Sequence, residues 1–196
     1  MAHLSLRDDR IGLQYWTDLL APEACRELIA IGEGLLRPAT VTDEHSGIET
    51  PHPERVSEMA WPRREEYPLL QRMAEGIAQL TGLPIAHQEP LQILHYRPGG
   101  EYKPHFDGFA ADAPTLAQGG NRQLTLILYL NPVEAGGGTH FPELQLTAFP
   151  RAGAGVLFHN LNAEGLRHPL SLHAGLPVLR GEKWIATQWI RQGPYR

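Results

Sequence analysis

His105 and Asp107 stand two residues apart in "YKPHFDGF", residues 102 to 109, with aromatic rings on either side. An imidazole nitrogen and a carboxylate oxygen are ligands for a divalent metal. On an extended segment, side chains at i and i+2 leave the same face, so both could reach one ion. Two ligands are too few for a catalytic metal. A third, from a different strand, would put three donors on one side of the ion and leave positions open; two His and one carboxylate so arranged favour non-haem Fe(II). His140, His159, His168 and His173 are candidates for the third, and spacing alone does not choose among them. Taken singly, each is as readily a hydrogen-bonded surface or core histidine, and His-x-Asp also occurs by chance.

Of the 17 cationic residues only Lys103 and Lys183 are lysines. A chain that otherwise uses Arg either places Lys where a compact ammonium is needed or carries two leftovers of a codon-biased genome, and composition alone does not choose. Cys25 is the single cysteine, which excludes an internal disulfide and a cysteine metal cluster.

These residues need a scaffold, and 196 residues suffice for one domain with a substantial core. Residues 1–87 read as helical support and substrate loops, and 88–196 as a β-rich catalytic core. "APEACRELIAIGEGLL" carries Pro22 in its first turn and apolar Cys25, Leu28, Ile29 and Leu36 near helical spacing. "REEYPLLQRMAEGIAQLTG" sets Leu69, Leu70, Met73, Ile77 and Leu80 on one side, with Gly82 as the stop. Residues 37–61 read as a loop with one or two short strands. From Leu91 onward, "LQILHY", "RQLTLILYLN", "GAGVLFHN", "HPLSLH" and "EKWIATQWI" read as strands between Gly- and Pro-rich turns. The expected class is α+β: a jelly-roll core with supporting N-terminal helices, whose two sheets enclose a cavity. The formal charge of -5 argues against a nucleic-acid partner. "MAHLSLRDDR" lacks the apolar run of a signal peptide, and no stretch is long enough to cross a membrane, so a soluble cytoplasmic protein is expected.

The run from "LQILHYRPGGEYKPHFD" through "NRQLTLILYLNPVEAGGGTHFP" to "SLHAGLPVLRGEKWIATQW" resembles the catalytic domain of prolyl 4-hydroxylases, which are Fe(II)- and 2-oxoglutarate-dependent dioxygenases on a double-stranded β-helix. The resemblance covers about residues 88 to 190, and "HPERVSEMAW" weakly resembles the family's upstream substrate-loop segment. It implies His105, Asp107 and His173 as iron ligands and Lys183, ten residues after His173, as partner of the 2-oxoglutarate C5 carboxylate. A carboxylate deep in a barrel needs such a buried cation; the two residues are expected on neighbouring strands. It also implies Tyr96 and Thr125 as hydroxyl donors to the cosubstrate, Trp189 as a pocket wall, and Arg122 and Arg191 as substrate contacts at strand ends. Gly138 departs mildly from the family's Gly-Gly-x-Thr turn.

The implied reaction consumes 2-oxoglutarate and O2, releases succinate and CO2, and hydroxylates a C–H bond of a prolyl residue in a peptide or protein, with ascorbate as reductant. Aromatic neighbours such as Phe106 would keep the site dry. Residues 38 to 62 and 108 to 121 are expected to act as loops over the site. Two other readings stand beside this one: hydroxylation of a free amino acid or small metabolite, and a jelly-roll binding module without catalysis. Oligomeric state is not addressed by the sequence.

Overall fold

The computed structural model describes residues 2–42, 49–51 and 55–196. In chain order, β1 (His3–Asp8) and β2 (Leu13–Thr17) form a hairpin, followed by α1 (Pro22–Glu33), β3 (Arg37–Pro38), β4 (Thr40–Thr42), β5 (Glu49–Pro51), β6 (Glu58–Ala60) and α2 (Pro68–Thr81). Next come β7 (Gln92–Tyr96), β8 (Tyr102–His105), β9 (Arg122–Tyr129), β10 (Ala135–Gly136), β11 (Thr139–Phe141) and β12 (Leu146–Ala148). The chain closes with β13 (Gly155–His159), β14 (His173–Gly175), β15 (Val178–Arg180) and β16 (Lys183–Arg191).

A major sheet runs in the order β1-β2-β13-β9-β16-β7-β6-β3, and a minor sheet in the order β12-β11-β14-β8. β16 is a central strand of the major sheet, and all nine of its residues are buried. Period-two alternation explains why. Trp184, Ala186 and Ile190 face the helices, where they join Leu28, Leu70, Met73 and Ile93. Ile185 faces the interior with Tyr129, Phe141 and Phe158. Burying each such aliphatic side chain contributes about 2 kcal/mol, so both layers hold the strand in register.

α2 starts where Tyr67 is still extended and Pro68 supplies a preset φ; it stops at Gly82, whose left-handed φ of 71° lets its N–H reach the Ala78 carbonyl at 2.9 Å. Of its expected apolar face, Leu69, Leu70, Met73 and Ile77 are buried and Leu80 is partly buried against the same cluster. In α1, Cys25 and Leu28 are buried with Ile29 at the margin, while Leu36, expected on the same face, lies beyond the helix end at Glu33 and packs on the cluster from there.

Three details differ from the sequence reading. Residues 1–87 supply more than helical support, since β1, β2, β3 and β6 extend the major sheet. "HPLSLH" is not one strand. Pro169 opens a 3-10 turn over Pro169–Ser171, because its ring removes a ladder donor, and the strand begins only at His173. His173 and Lys183 are not on neighbouring strands either: β14 lies in the minor sheet and β16 in the major, so the two side chains meet across the interior. The intervening residues form β15, which pairs with β10.

Within the loop expected over 38 to 62, β3 pairs with β6 and β4 with β5, while residues 43–48 and 52–54 lie outside the described residues. The segment 108 to 121 is tied down. The Asn121 side chain accepts from the Phe109 N–H at 2.8 Å and donates to the Phe109 carbonyl at 2.9 Å. Arg191 donates to the carbonyls of Thr115 and Gly120 at 3.0 and 2.7 Å. In the glycine turn, Gly136 has φ 77° and a Cβ there would sit 2.2 Å from the Pro177 carbonyl, so only glycine fits. A Cβ at Gly138 would lie 2.7 Å from Cγ2 of Thr147, which accounts for the small residue at that position.

Candidate active site

β8 and β14 pair with His105 directly opposite His173, and Asp107 follows β8 by two residues. Ligand atoms of the three side chains lie within 4.8 Å of one another. His105 Nε2 is 3.7 Å from one Asp107 oxygen and His173 Nε2 is 3.6 Å from the other. Two ligands each about 2.1 Å from a shared ion, at 90–120°, would be about 3–3.7 Å apart. The separations therefore suit a bound metal.

Backbone carbonyls fix both imidazoles. His105 Nδ1 lies 2.8 Å from the Lys103 carbonyl and His173 Nδ1 2.9 Å from the Ser171 carbonyl. A carbonyl only accepts, so each Nδ1 carries a proton and each Nε2 faces Asp107. Burial pushes His105 well below the ordinary imidazole range, and the His173 ring adds to this. Burial opposes ionisation of Asp107, but His173 and His105, then Arg122 and the Thr125 hydroxyl, outweigh it and hold the carboxyl below its usual range. Two imidazole Nε2 atoms and a carboxylate favoured in its ionised form are the donor set a divalent ion requires.

Thr125 donates its hydroxyl to Asp107 Oδ2 at 2.8 Å and accepts from Asn160 Nδ2 at 2.8 Å. This corrects its expected place at the cosubstrate. Thr125 pairs with Trp189 across β9 and β16, and Lys183 lies six residues back along β16, about 20 Å at 3.3 Å per residue. Thr125 belongs at the metal end of the barrel, where it steadies the carboxylate.

Lys183 pairs with Tyr96 across β16 and β7, and its Nζ is 5.1 Å from the centre of the Tyr96 ring. It is 2% exposed, and among the described residues its side-chain nitrogen has no ion pair or hydrogen bond. Burial alone lowers its pKa to about 7. The recess that Lys183 lines is shared with Tyr96, Thr139, His173 and Asp107. An orphaned buried ammonium next to a metal-type triad fits a bound diacid that chelates the ion at one end and meets Lys183 at the other. Thr139 escaped the sequence reading although it closes the quoted Gly-rich turn, whose family pattern ends in Thr. Its hydroxyl accepts from Tyr129 at 2.8 Å. Lys103, the other lysine, is half exposed and pairs with Glu101 at 2.7 Å.

The recess gives onto an open cleft of about 690 Å³. Trp189 borders both spaces, with its indole 6.1 Å from Trp61 and under the Arg122 guanidinium at 3.7 Å. Its Nε1 is buried without a partner. Arg122 and Arg191 are not the exposed strand-end residues expected. Arg122 donates to both oxygens of Glu89 at 2.7 and 2.8 Å, and Arg191 donates to the same carboxylate at 2.6 Å. Glu89, a lone acid before β7, carried no sequence signal; its role appears only once β9 and β16 bring Arg122 and Arg191 to its carboxylate, which needs a partner when buried. Tyr102 stacks on His105 at 3.5 Å and Arg55 lies over Tyr102 at 4.8 Å, two further wall residues that the sequence reading did not single out.

A family model for the 2OG-Fe(II) oxygenase superfamily matches residues 91–191, the span that contains the triad, Lys183 and the major strands. The chain belongs to this superfamily, whose members are dioxygenases that use Fe(II) and 2-oxoglutarate. Within it, the similarity is to prolyl 4-hydroxylases. A probable prolyl 4-hydroxylase 3 of Arabidopsis thaliana is 34% identical over 91% of this chain and 69% of its own length. The human prolyl 4-hydroxylase subunit alpha-1 is 38% identical over 80% of this chain but only 30% of its own, so this chain spans less than a third of that subunit. In three dimensions, the viral collagen prolyl hydroxylase of Paramecium bursaria Chlorella virus-1, solved as a 2OG complex, superposes with a TM-score of 0.73 and 28% identity, over 91% of this chain and 94% of that one. The jelly-roll core read from the strand pattern is thus the superfamily's fold.

Proposed function

We propose that this chain hydroxylates a prolyl residue of a peptide or protein, holding Fe(II) through His105, Asp107 and His173 and the C5 carboxylate of 2-oxoglutarate through Lys183. Iron and 2-oxoglutarate, when bound, supply the oxidising chemistry with O2 and leave succinate and CO2. The chain's own residues prepare for it. The carbonyls of Lys103 and Ser171 aim the two Nε2 lone pairs, and Thr125 holds Asp107. Lys183 is an amine that a bound carboxylate would hold in its charged form, with the Tyr96 and Thr139 hydroxyls in the same recess. Trp189, Phe109 and Tyr102 wall the cleft and set aromatic surface beside the reacting centre.

The observation that carries the chemistry is the unpartnered Lys183 ammonium in one recess with the His-Asp-His cluster. The prolyl substrate is supported by the relatives, which are prolyl 4-hydroxylases across nearly the whole of this chain. Ascorbate is proposed as the reductant that restores iron after turnover without substrate.

The test is to incubate the protein with Fe(II), 2-oxoglutarate and either proline-rich peptides or free amino acids, reading succinate and the gain of one oxygen by mass. Peptide oxidation that is lost in His173→Ala supports the reading. Oxidation confined to free amino acids replaces the substrate, and succinate formation independent of Fe(II) rejects the chemistry.

A further inference from the structure

We propose that the substrate carries a carboxylate beside the residue that is hydroxylated, and that the arginine wall of the cleft binds it. The inference rests on the prolyl-hydroxylating reading and names a feature of its substrate.

The charge of the cleft points to it. Arg37, Arg55, Arg122 and Arg191 all line the cleft, and among the described lining residues only Glu89 and Asp107 oppose them. Neither carboxylate is available to neutralise the surplus. Asp107 belongs to the metal cluster, and Glu89 is already shared between Arg122 and Arg191. A divalent metal and the dianion 2-oxoglutarate cancel one another, so loading the site leaves the balance positive. This excess sits in a chain of formal charge -5.

Two of the guanidiniums are positioned to meet a ligand. Arg55 donates Nη1 to the Thr40 carbonyl and Nη2 to Gln92 Oε1, both at 2.9 Å. Those acceptors are neutral and leave its charge uncompensated, and its Nε is buried without a partner. Arg37 is exposed at the cleft and has no ion pair among the described residues. A cationic cleft with low-dielectric walls attracts anions and holds them by charge-assisted hydrogen bonds. A neutral peptide could offer only carbonyl oxygens to the same donors. A carboxylate offers two oxygens and a charge, and the cleft is open enough for it to be an Asp or Glu side chain of a passing chain. A free carboxyl terminus next to the proline has the same chemistry.

Three peptides separate the cases: a capped one with Glu beside a central proline, its capped Gln isostere, and the Gln peptide shortened to end in a free carboxylate directly after the proline. Binding is read by fluorescence anisotropy to protein carrying Fe(II) and 2-oxoglutarate without O2, and hydroxylation by mass after air is admitted. The Glu peptide is expected to bind on the order of tenfold tighter than the Gln peptide at low salt, an advantage that salt reduces. Arg37→Gln and Arg55→Gln should each shrink that ratio; Arg37, being exposed, can be exchanged without disturbing the fold. A gain confined to the free terminus upholds the carboxylate site with that source. Equal binding of all three peptides, with oxygen gained by each, overturns the carboxylate site and leaves prolyl hydroxylation standing. Preferential binding of the Glu peptide without any oxygen gained does the reverse.

Discussion

His173 stands directly across from His105 in the antiparallel pairing of β14 with β8, their ring centres 4.3 Å apart. Residues 68 positions apart in the chain thus become one edge of a three-donor cluster, closed by Asp107 two residues beyond β8. The geometry depends on a ladder, which is stiffer than loops would be.

Removing a donor should therefore empty the cluster. His105→Ala, Asp107→Ala and His173→Ala are each expected to reduce Fe(II)-dependent succinate formation to background. Thr125→Val keeps shape but withdraws the hydrogen bond to Asp107. It should weaken metal affinity by about 10–100-fold, measured by titration with Co(II) followed in absorbance. An unchanged Co(II) isotherm would remove Thr125 from that role.

Lys183 gives a proton signature. In the ligand-free protein its pKa is about 7, so at pH 8 it is mostly neutral. Binding a carboxylate favours the ammonium, and the site must then take up close to one proton. Calorimetry of 2-oxoglutarate binding at pH 8, in buffers of different ionisation enthalpy, should show this uptake and show less of it near pH 6. The same shift sets a stability trend. Between about pH 7 and 10.5 the unfolded lysine keeps a proton that the folded one has lost, so the ligand-free protein gains stability as pH rises through that window. Lys183→Ala should abolish the proton uptake and weaken cosubstrate binding more than metal binding. Lys183→Arg should also be harmful, because a planar fork does not replace a compact ammonium.

Glu89 is the shared ion-pair partner of two arginines. Glu89→Gln removes the ion-pair partner of the buried Arg191 and of the half-buried Arg122 and is expected to cost about 3 kcal/mol, read from urea unfolding. A variant as stable as the parent would show that water reaches these groups.

Gly136 is held by its positive φ and by the Pro177 carbonyl. Gly136→Ala should destabilise by more than about 1 kcal/mol and lower the thermal midpoint. Gly76 is the control: it sits in the middle of α2, and a Cβ added there would meet nothing within 4 Å. There Gly76→Ala should stabilise by about 0.5–1 kcal/mol.

Much of the site is legible in the chain. The His-x-Asp pair is a local signal, the resemblance implied His173 and Lys183, and the structure brings all four to one cavity. Sequence reasoning puts Thr125 at the wrong end of the barrel because residue type says that a hydroxyl can donate but not which partner is level with it. That depends on the register of β9 against β16. Glu89 gives no signal because a single acid before a strand has many uses until two arginines arrive beside it.

By itself the sequence determined the element types, since apolar period and Gly and Pro positions act over a few residues: α2 between Pro68 and Gly82, and the strands Gln92–Tyr96, Arg122–Tyr129 and Lys183–Arg191. It also supplied the ligand chemistry, because His, Asp and Lys bring their donors wherever they are placed. Only the tertiary structure decided which faces meet. It set His173 and Lys183 on opposing sheets, bound Thr125 to Asp107, and buried Glu89 between two arginines. Those relations arise from pairing across long stretches of chain, where sheet register and packing, rather than local preference, fix the distances.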